Sequence, residues 1–153
     1  MDKMFKQLLD DTNKLIVIKS HFFNEKVSPT KDDIESLYDL SKKGFITATF
    51  LLGVAHVFGL SVPVNPYSAN YYFSQVMNNH QSDKSILFQI ANYYVGMGDE
   101  WKDKALHALH LSANKGHEFA IKMINAMEVR EDDEQQRPDN DAQAGQQAFF
   151  QHG

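Results

Sequence analysis

Gly44-Phe45-Ile46-Thr47-Ala48 runs on through Leu52-Gly53 to His56 and Gly59, and the same spacing returns at Gly116-His117-Glu118-Phe119-Ala120, followed by Ile124. The two glycines stand about 72 residues apart, with the midpoint at His80, which suggests a repeat with a period near 36. Just past that midpoint, Ser85–Tyr94 is a third helical stretch that carries Ile90-Ala91 and Tyr94 and ends in Gly96-Met97-Gly98. In chain order, a partner helix follows each of the first two such stretches, those at Gly44 and at Ser85. One is Pro66–Asn78, with Ala69, Tyr72, Phe73, Val76 and Met77; the other is Asp103–Lys115, with Lys104-Ala105, Leu109 and Ser112-Ala113. The unit is helix, glycine-containing turn, helix. Small residues such as Ala48, Gly53 and Ala91 let two helices approach, and Leu52, Ile90 and Tyr94 fill the space beside them. Glycine after a helix adopts a left-handed cap that a side chain resists. One such pair cannot bury its apolar face alone, so neighbours must stack.

Outward from these repeats the chain also reads as helical. Met4 to Phe22 places Phe5, Leu8, Leu9, Leu15, Ile16 and Ile18 near a helical period. Ser28-Pro29-Thr30 before Asp32 and Asp33 is a helix start, with capping hydroxyls, an early proline and acids near the positive end of the helix dipole. That helix runs through Ile34, Leu37, Tyr38 and Leu40 and stops at Gly44. The β-branched residues between Leu60 and Val64 are interrupted by Pro63 and followed by Pro66, which suits a loop. The expectation is an all-α protein with about seven helices between residues 2 and 129.

The pattern G-x-x-x-A-x-x-x-L-G-x-x-Y-x-x-G, followed by K-A and A-A-x-x-G, resembles the Sel-one-like repeats, relatives of the tetratricopeptide repeats. Residues 44–59 match at Gly44, Ala48, Leu52, Gly53 and Gly59, with His56 in place of the usual tyrosine. Residues 104–124 match at Lys104, Ala105, Ala113, Gly116, Ala120 and Ile124. The middle unit keeps Ile90-Ala91 and Tyr94, and Asn65 stands where an acidic residue usually precedes the second helix. The resemblance implies a short right-handed α-solenoid of antiparallel helix pairs that binds another protein. Residues 1–43 would be N-terminal capping helices, and residues 44–129 the repeats with a C-terminal cap.

Composition narrows the functional classes. The chain has 153 residues, 42% of them apolar and 23% charged, as in an ordinary folded domain. Its mean hydropathy is -0.44 and no window resembles a membrane-spanning helix. Without cysteine it has no disulfide, thiol nucleophile or thiolate metal site. A cytoplasmic location is expected, with secretion into a host cell as the alternative. The net charge of -5 argues against a nucleic-acid binder, which needs a positive face. Six acids (Glu131, Asp132, Asp133, Glu134, Asp139 and Asp141) against two arginines give residues 130–153 most of that charge. With few apolar residues, 130–153 reads as a disordered acidic tail, and Phe149-Phe150 as a docking element or a chance pair of solvated rings.

Sequence patterns for chemistry are weak. His107 and His110 lie three apart on one helix with His117 a turn beyond, yet there is no H-E-x-x-H motif, and no metal or other cofactor is expected. Gly-x-Ser-x-Gly is missing, and Gly96-Met97-Gly98 reads as a turn, not a phosphate loop. Asp10-Asp11 and Asp32-Asp33 read as solvated surface pairs, and His56 as a buried histidine with a hydrogen bond.

The expected function is therefore a non-enzymatic interaction module or adaptor of bacterial type, bound to a protein partner. The alternatives are an immunity protein against a bacterial toxin, or a type IV-secreted effector with its signal in the tail. Usage of Asn, Lys, Ile and Gln agrees with an AT-rich genome. In tetratricopeptide-like solenoids the first helix of each pair lines the concave face. Carried over to this chain, that implies Thr47, Phe50, Val54 and Phe58; Ser85, Phe88, Asn92 and Val95; and Phe119 and Lys122 as the groove. A row of aromatics there marks a binding surface, unless the N-terminal helix or Phe149-Phe150 covers it and makes it core.

Overall fold

In the computed structural model, which describes residues 2–135, the chain forms seven α-helices and one short 3₁₀ turn, with no strand among the described residues. The helices are α1 (Lys3–Phe23), α2 (Lys31–Lys42), α3 (Ile46–Phe58), α4 (Pro66–Met77), α5 (Lys84–Met97), α6 (Lys102–Asn114) and α7 (Glu118–Gln135). The 3₁₀ turn, Asp99–Trp101, leads into α6.

Local chemistry sets the helix ends. Thr30 and Asp33 form a reciprocal capping box at the start of α2. Asp33 N–H donates to Thr30 Oγ1, and Thr30 N–H donates to the Asp33 carboxylate, each at 3.0 Å. Asn65 caps α4 through Oδ1, which accepts from Tyr67 N–H and Ser68 N–H at 3.0 and 3.1 Å; Pro66 fills the first helical position. Gly44 and Gly116, the two glycines that open the sequence repeat, have φ of 96° and 91°. Both follow a helix and turn the chain into the next one, a backbone state that disfavours a Cβ. Ser61, with φ of 58°, is the one described non-glycine residue in this region, and its hydroxyl donates to Pro29 O at 2.7 Å.

Helices next to each other in sequence pack against each other, and α3 also touches α1 and α5. With four neighbours, α3 is buried continuously from Ala48 to His56 and forms the centre of the core. Around it lie Leu37 and Leu40 of α2, Phe73 and Val76 of α4, and Leu87, Ile90 and Tyr94 of α5. Burying each large side chain of this kind contributes about 1.5–3 kcal/mol. Polar side chains link successive helices at defined points. Ser112 Oγ donates to Lys84 O at 2.8 Å, Tyr94 OH to Asn70 Oδ1 at 2.7 Å, and the Asp11–Lys43 ion pair (3.0 Å) fastens α1 to the α2–α3 turn. Among the described residues nothing pairs the buried Trp101 Nε1–H.

One boundary differs from the sequence reading. The tail expected to lose structure at residue 130 begins inside a helix, because α7 continues to Gln135. Residues 129–135 contain no glycine or proline, and extending an existing helix is far cheaper than starting one. The rest of the expected tail, with Phe149 and Phe150, lies outside the described residues.

Candidate functional site

The residues expected to line a groove divide into three groups. Phe50 and Val54 are interior, at 1% and 2% exposed, and this corrects their assignment to a binding face. Rings of α4 and α5 lie against Phe50, and Phe149 and Phe150 lie outside the described residues. The Phe50 ring centroid lies 6.2 Å from that of Phe73 on α4 and 6.1 Å from that of Tyr93 on α5, and α3, enclosed by four helices, has little outer face left. Thr47 and Phe88 are half-buried. Phe58 (58% exposed), Ser85, Asn92, Val95, Phe119 (62% exposed) and Lys122 are open to solvent.

The accessible and half-buried aromatics at the expected groove positions and beside them form two clusters, and α5 contributes to both. In the first, Phe58 at the end of α3 stands edge-on to Tyr93, with centroids 5.8 Å apart and planes at 77°. Tyr93 in turn stacks on the buried Phe73 at 5.9 Å. Burial raises the Tyr93 phenol above its ordinary pKa, so the ring presents a neutral hydroxyl. In the second, Phe88 stacks on His117 at 4.3 Å with the planes 15° apart, and His117 lies 6.1 Å from Phe119. His117 Nδ1 accepts from Ala120 N–H at 3.2 Å, which caps α7 and fixes the ring. Near Phe119 in sequence, Lys122 pairs with Glu118 at 3.2 Å; both ends are exposed, so the pair adds little stability. Rigid rings backed by a packed core, with a polar rim, suit contact with apolar side chains of another molecule.

Tyr93 and His117 were not read from the sequence as parts of such a surface. Tyr93 adjoins the core residue Tyr94, and only the packing of α5 on α3 separates their roles. His117 carried a signal of a different kind, its place between Gly116 and α7, which is a cap position. His56 is as expected: buried, with Nδ1 3.4 Å from Pro63 O, and stacked on Tyr72 at 5.7 Å. His107 and His110 are exposed, and among the described residues no group of three His, Cys, Asp or Glu side chains is placed to hold a metal ion. No described helix is long and apolar enough to cross a membrane.

Asp10-Asp11 does not behave as the expected solvated pair. Asp11 is buried between Gln7, whose amide donates at 3.0 Å, and Lys43, while Asp10 is exposed. The hydrogen bond from Lys43 outweighs burial and holds the Asp11 carboxyl below the ordinary range. Asp33 likewise is half-buried while Asp32 is exposed. Burial is the largest influence on Asp33 and pushes it up. The hydrogen bonds from His21 (2.7 Å) and Thr30, with the histidine's charge, together outweigh it and leave the carboxyl lowered.

No family model matches the chain, and neither a curated protein nor a solved structure matches it.

Proposed function

We propose that this protein is a non-enzymatic interaction module built as a short right-handed α-solenoid of antiparallel helix pairs, of the Sel-one-like kind, and that it binds another protein through the C-terminal end of α3 and the outer surfaces of α5 and α7. The observation that carries the reading is the recurrence of an accessible phenylalanine on three alternate helices: Phe58 on α3, Phe88 on α5 and Phe119 on α7. Sequential packing of the helices and the matching left-handed backbone at Gly44 and Gly116 support the repeated architecture. Phe58 and Phe119 leave much of their rings in water, a cost that contact with a partner removes at roughly 25 cal/mol per Å². Tyr93 and His117 hold these rings in place from behind, so little side-chain freedom is lost on binding.

The partner is a protein with an apolar ridge, and Asn92 and Lys122 supply polar contacts at the rim. Affinity capture with the intact chain from cells that express it, read by quantitative mass spectrometry beside the Phe58→Ala/Phe119→Ala variant, tests this. A protein held by the original chain and depleted at least about tenfold by the variant, equivalent to about 1.4 kcal/mol, agrees with the reading. Equal recovery by a folded variant overturns it.

A further inference from the structure

A second apolar surface lies on α1, away from the rings of α3, α5 and α7. The helix packs on the body through Asp11, Leu15 and Ile18, while every residue from Asp2 to Asp10 is exposed. Met4, Phe5, Leu8, Leu9, Ile16, Val17 and Phe23 are each between 42% and 70% exposed. An isolated helix of two or three turns is marginal in water, so this projecting segment holds its shape best against something else.

Its sequence specifies the shape of that partner. Asp2, Phe5, Leu9, Thr12, Ile16, Lys19 and Phe23 follow one another in alternating steps of three and four residues, the spacing of a coiled-coil seam. At 3.6 residues per turn this seam lies about 120° around the helix from the face that packs on the body, so a second helix can approach it freely. Leu8 flanks this seam, while Met4 and Val17 lie off it. Asp2, Asp10 and Asp11 nearly offset the four lysines of this helix, so it lacks the strongly cationic face that a lipid surface requires and suits another helix better.

We infer that the occupant is α1 of a second copy of this chain, paired antiparallel about a two-fold axis between Asp10 and Asp11. In that register Phe5 of one copy faces Ile16 of the other, Leu9 faces Thr12, and Asp2 faces Lys19, with each contact made twice. The pairing is self-complementary. Apolar residues oppose apolar residues or a threonine methyl, and the charges at the two ends are opposite. Thr12 Oγ1 already donates to Leu8 O at 2.7 Å, so its hydroxyl is satisfied within its own helix and the methyl can enter the seam. Residues 2–23 carry four lysines and three aspartates, nearly balanced, so two such helices do not repel each other strongly. Phe5, Leu8, Leu9 and Ile16, at or beside the seam and each 42–60% exposed, leave on the order of 400 Å² per copy in water, taking roughly 200 Å² for a large apolar side chain. Two copies together thus bring about 800 Å², the size of a weak, transient interface, so association is expected in the micromolar range.

Sedimentation equilibrium of the intact chain, across concentrations up to about 100 μM, tests the inference. The original chain should reach the mass of a dimer. Ile16→Glu places a carboxylate against Phe5 of the other copy and should weaken association by about 100-fold or more, with an unchanged circular dichroism spectrum because Ile16 is exposed. Adding Phe5→Lys restores an opposite-charge pair across the seam and should recover at least about tenfold, a rescue specific to this register. An original chain that stays monomeric overturns the inference, including the case in which the stripe binds a different protein. A double variant no better than Ile16→Glu overturns the register.

Discussion

Gly53 lies in the middle of α3, facing α4. A Cβ built there would stand 2.6 Å from Phe73 Cδ1 and nearer still to Cε1, inside any normal van der Waals distance. Phe73 has no easy retreat. It is fully buried, with Tyr94 at 5.5 Å, Tyr93 at 5.9 Å and Phe50 at 6.2 Å between ring centroids. Gly53→Ala should gain about 1 kcal/mol of helix propensity. It should lose about 2–3 kcal/mol to overpacking, for a net loss of about 1–2 kcal/mol. Gly53→Leu should lose about 2–4 kcal/mol. For a domain of this size each kcal/mol lowers Tm by about 2–4 °C. Gly96, inside α5, is the internal control, because a Cβ there meets nothing within 4 Å. Gly96→Ala should therefore stabilise, by about 0.5–1 kcal/mol. Scanning calorimetry with urea denaturation of the three variants reads the difference. If Gly53→Ala melts at or above the original chain, the close approach of α3 and α4 at Phe73 is wrong.

The burial pattern predicts that Phe50→Ala costs about 3–5 kcal/mol, as a core phenylalanine does, whereas Phe58→Ala costs under about 1 kcal/mol; urea unfolding of both separates interior from surface. Asp11 has a folded pKa below its unfolded one, so its stabilisation is present above the ordinary carboxylate range and is lost as pH falls through the folded value. Asp11→Asn should lower Tm at neutral pH, and its deficit should vanish in acid, as melting curves between about pH 2 and 7 will show. Burial, with Tyr38 and Tyr71 close by, pushes Tyr72 up to about 12. Its raised pKa stabilises the fold below the ordinary tyrosine value, and that contribution is lost as pH rises through the folded one. Ultraviolet titration should therefore show the phenolate absorbance of Tyr72, recovered by difference from Tyr72→Phe, completed only with alkaline unfolding.

The helices were legible because their signals are local. The Thr30/Asp33 box, Asn65-Pro66 and the glycines at 44 and 116 act within a few residues of the backbone they shape. Burial around α3 was less legible, because it depends on how many helices surround it. Phe50 and Phe88 are each the fifth residue of their helix, yet α3 touches four helices and buries Phe50, whereas Phe88 stays half-exposed. Periodicity alone reports a helix's apolar side and says nothing of how many neighbours arrive to cover it. The same limit hid the α1 stripe: Phe5, Leu9 and Ile16 fit a helical period as well as Leu15 and Ile18 do, but only the second pair meets the body. Asp11 looked solvated because its partner, Lys43, is distant in sequence.

Site-specific photo-crosslinking is the most direct test of the claim that the α3, α5 and α7 surfaces bind another protein. A photoreactive phenylalanine analogue is placed at Phe58, at Phe119 or, as an exposed control on α2, at Glu35, and the chain is irradiated in cells that express it. The account predicts that positions 58 and 119 capture the same protein and that position 35 does not. Capture from position 35 alone, or different proteins from 58 and 119, would contradict it.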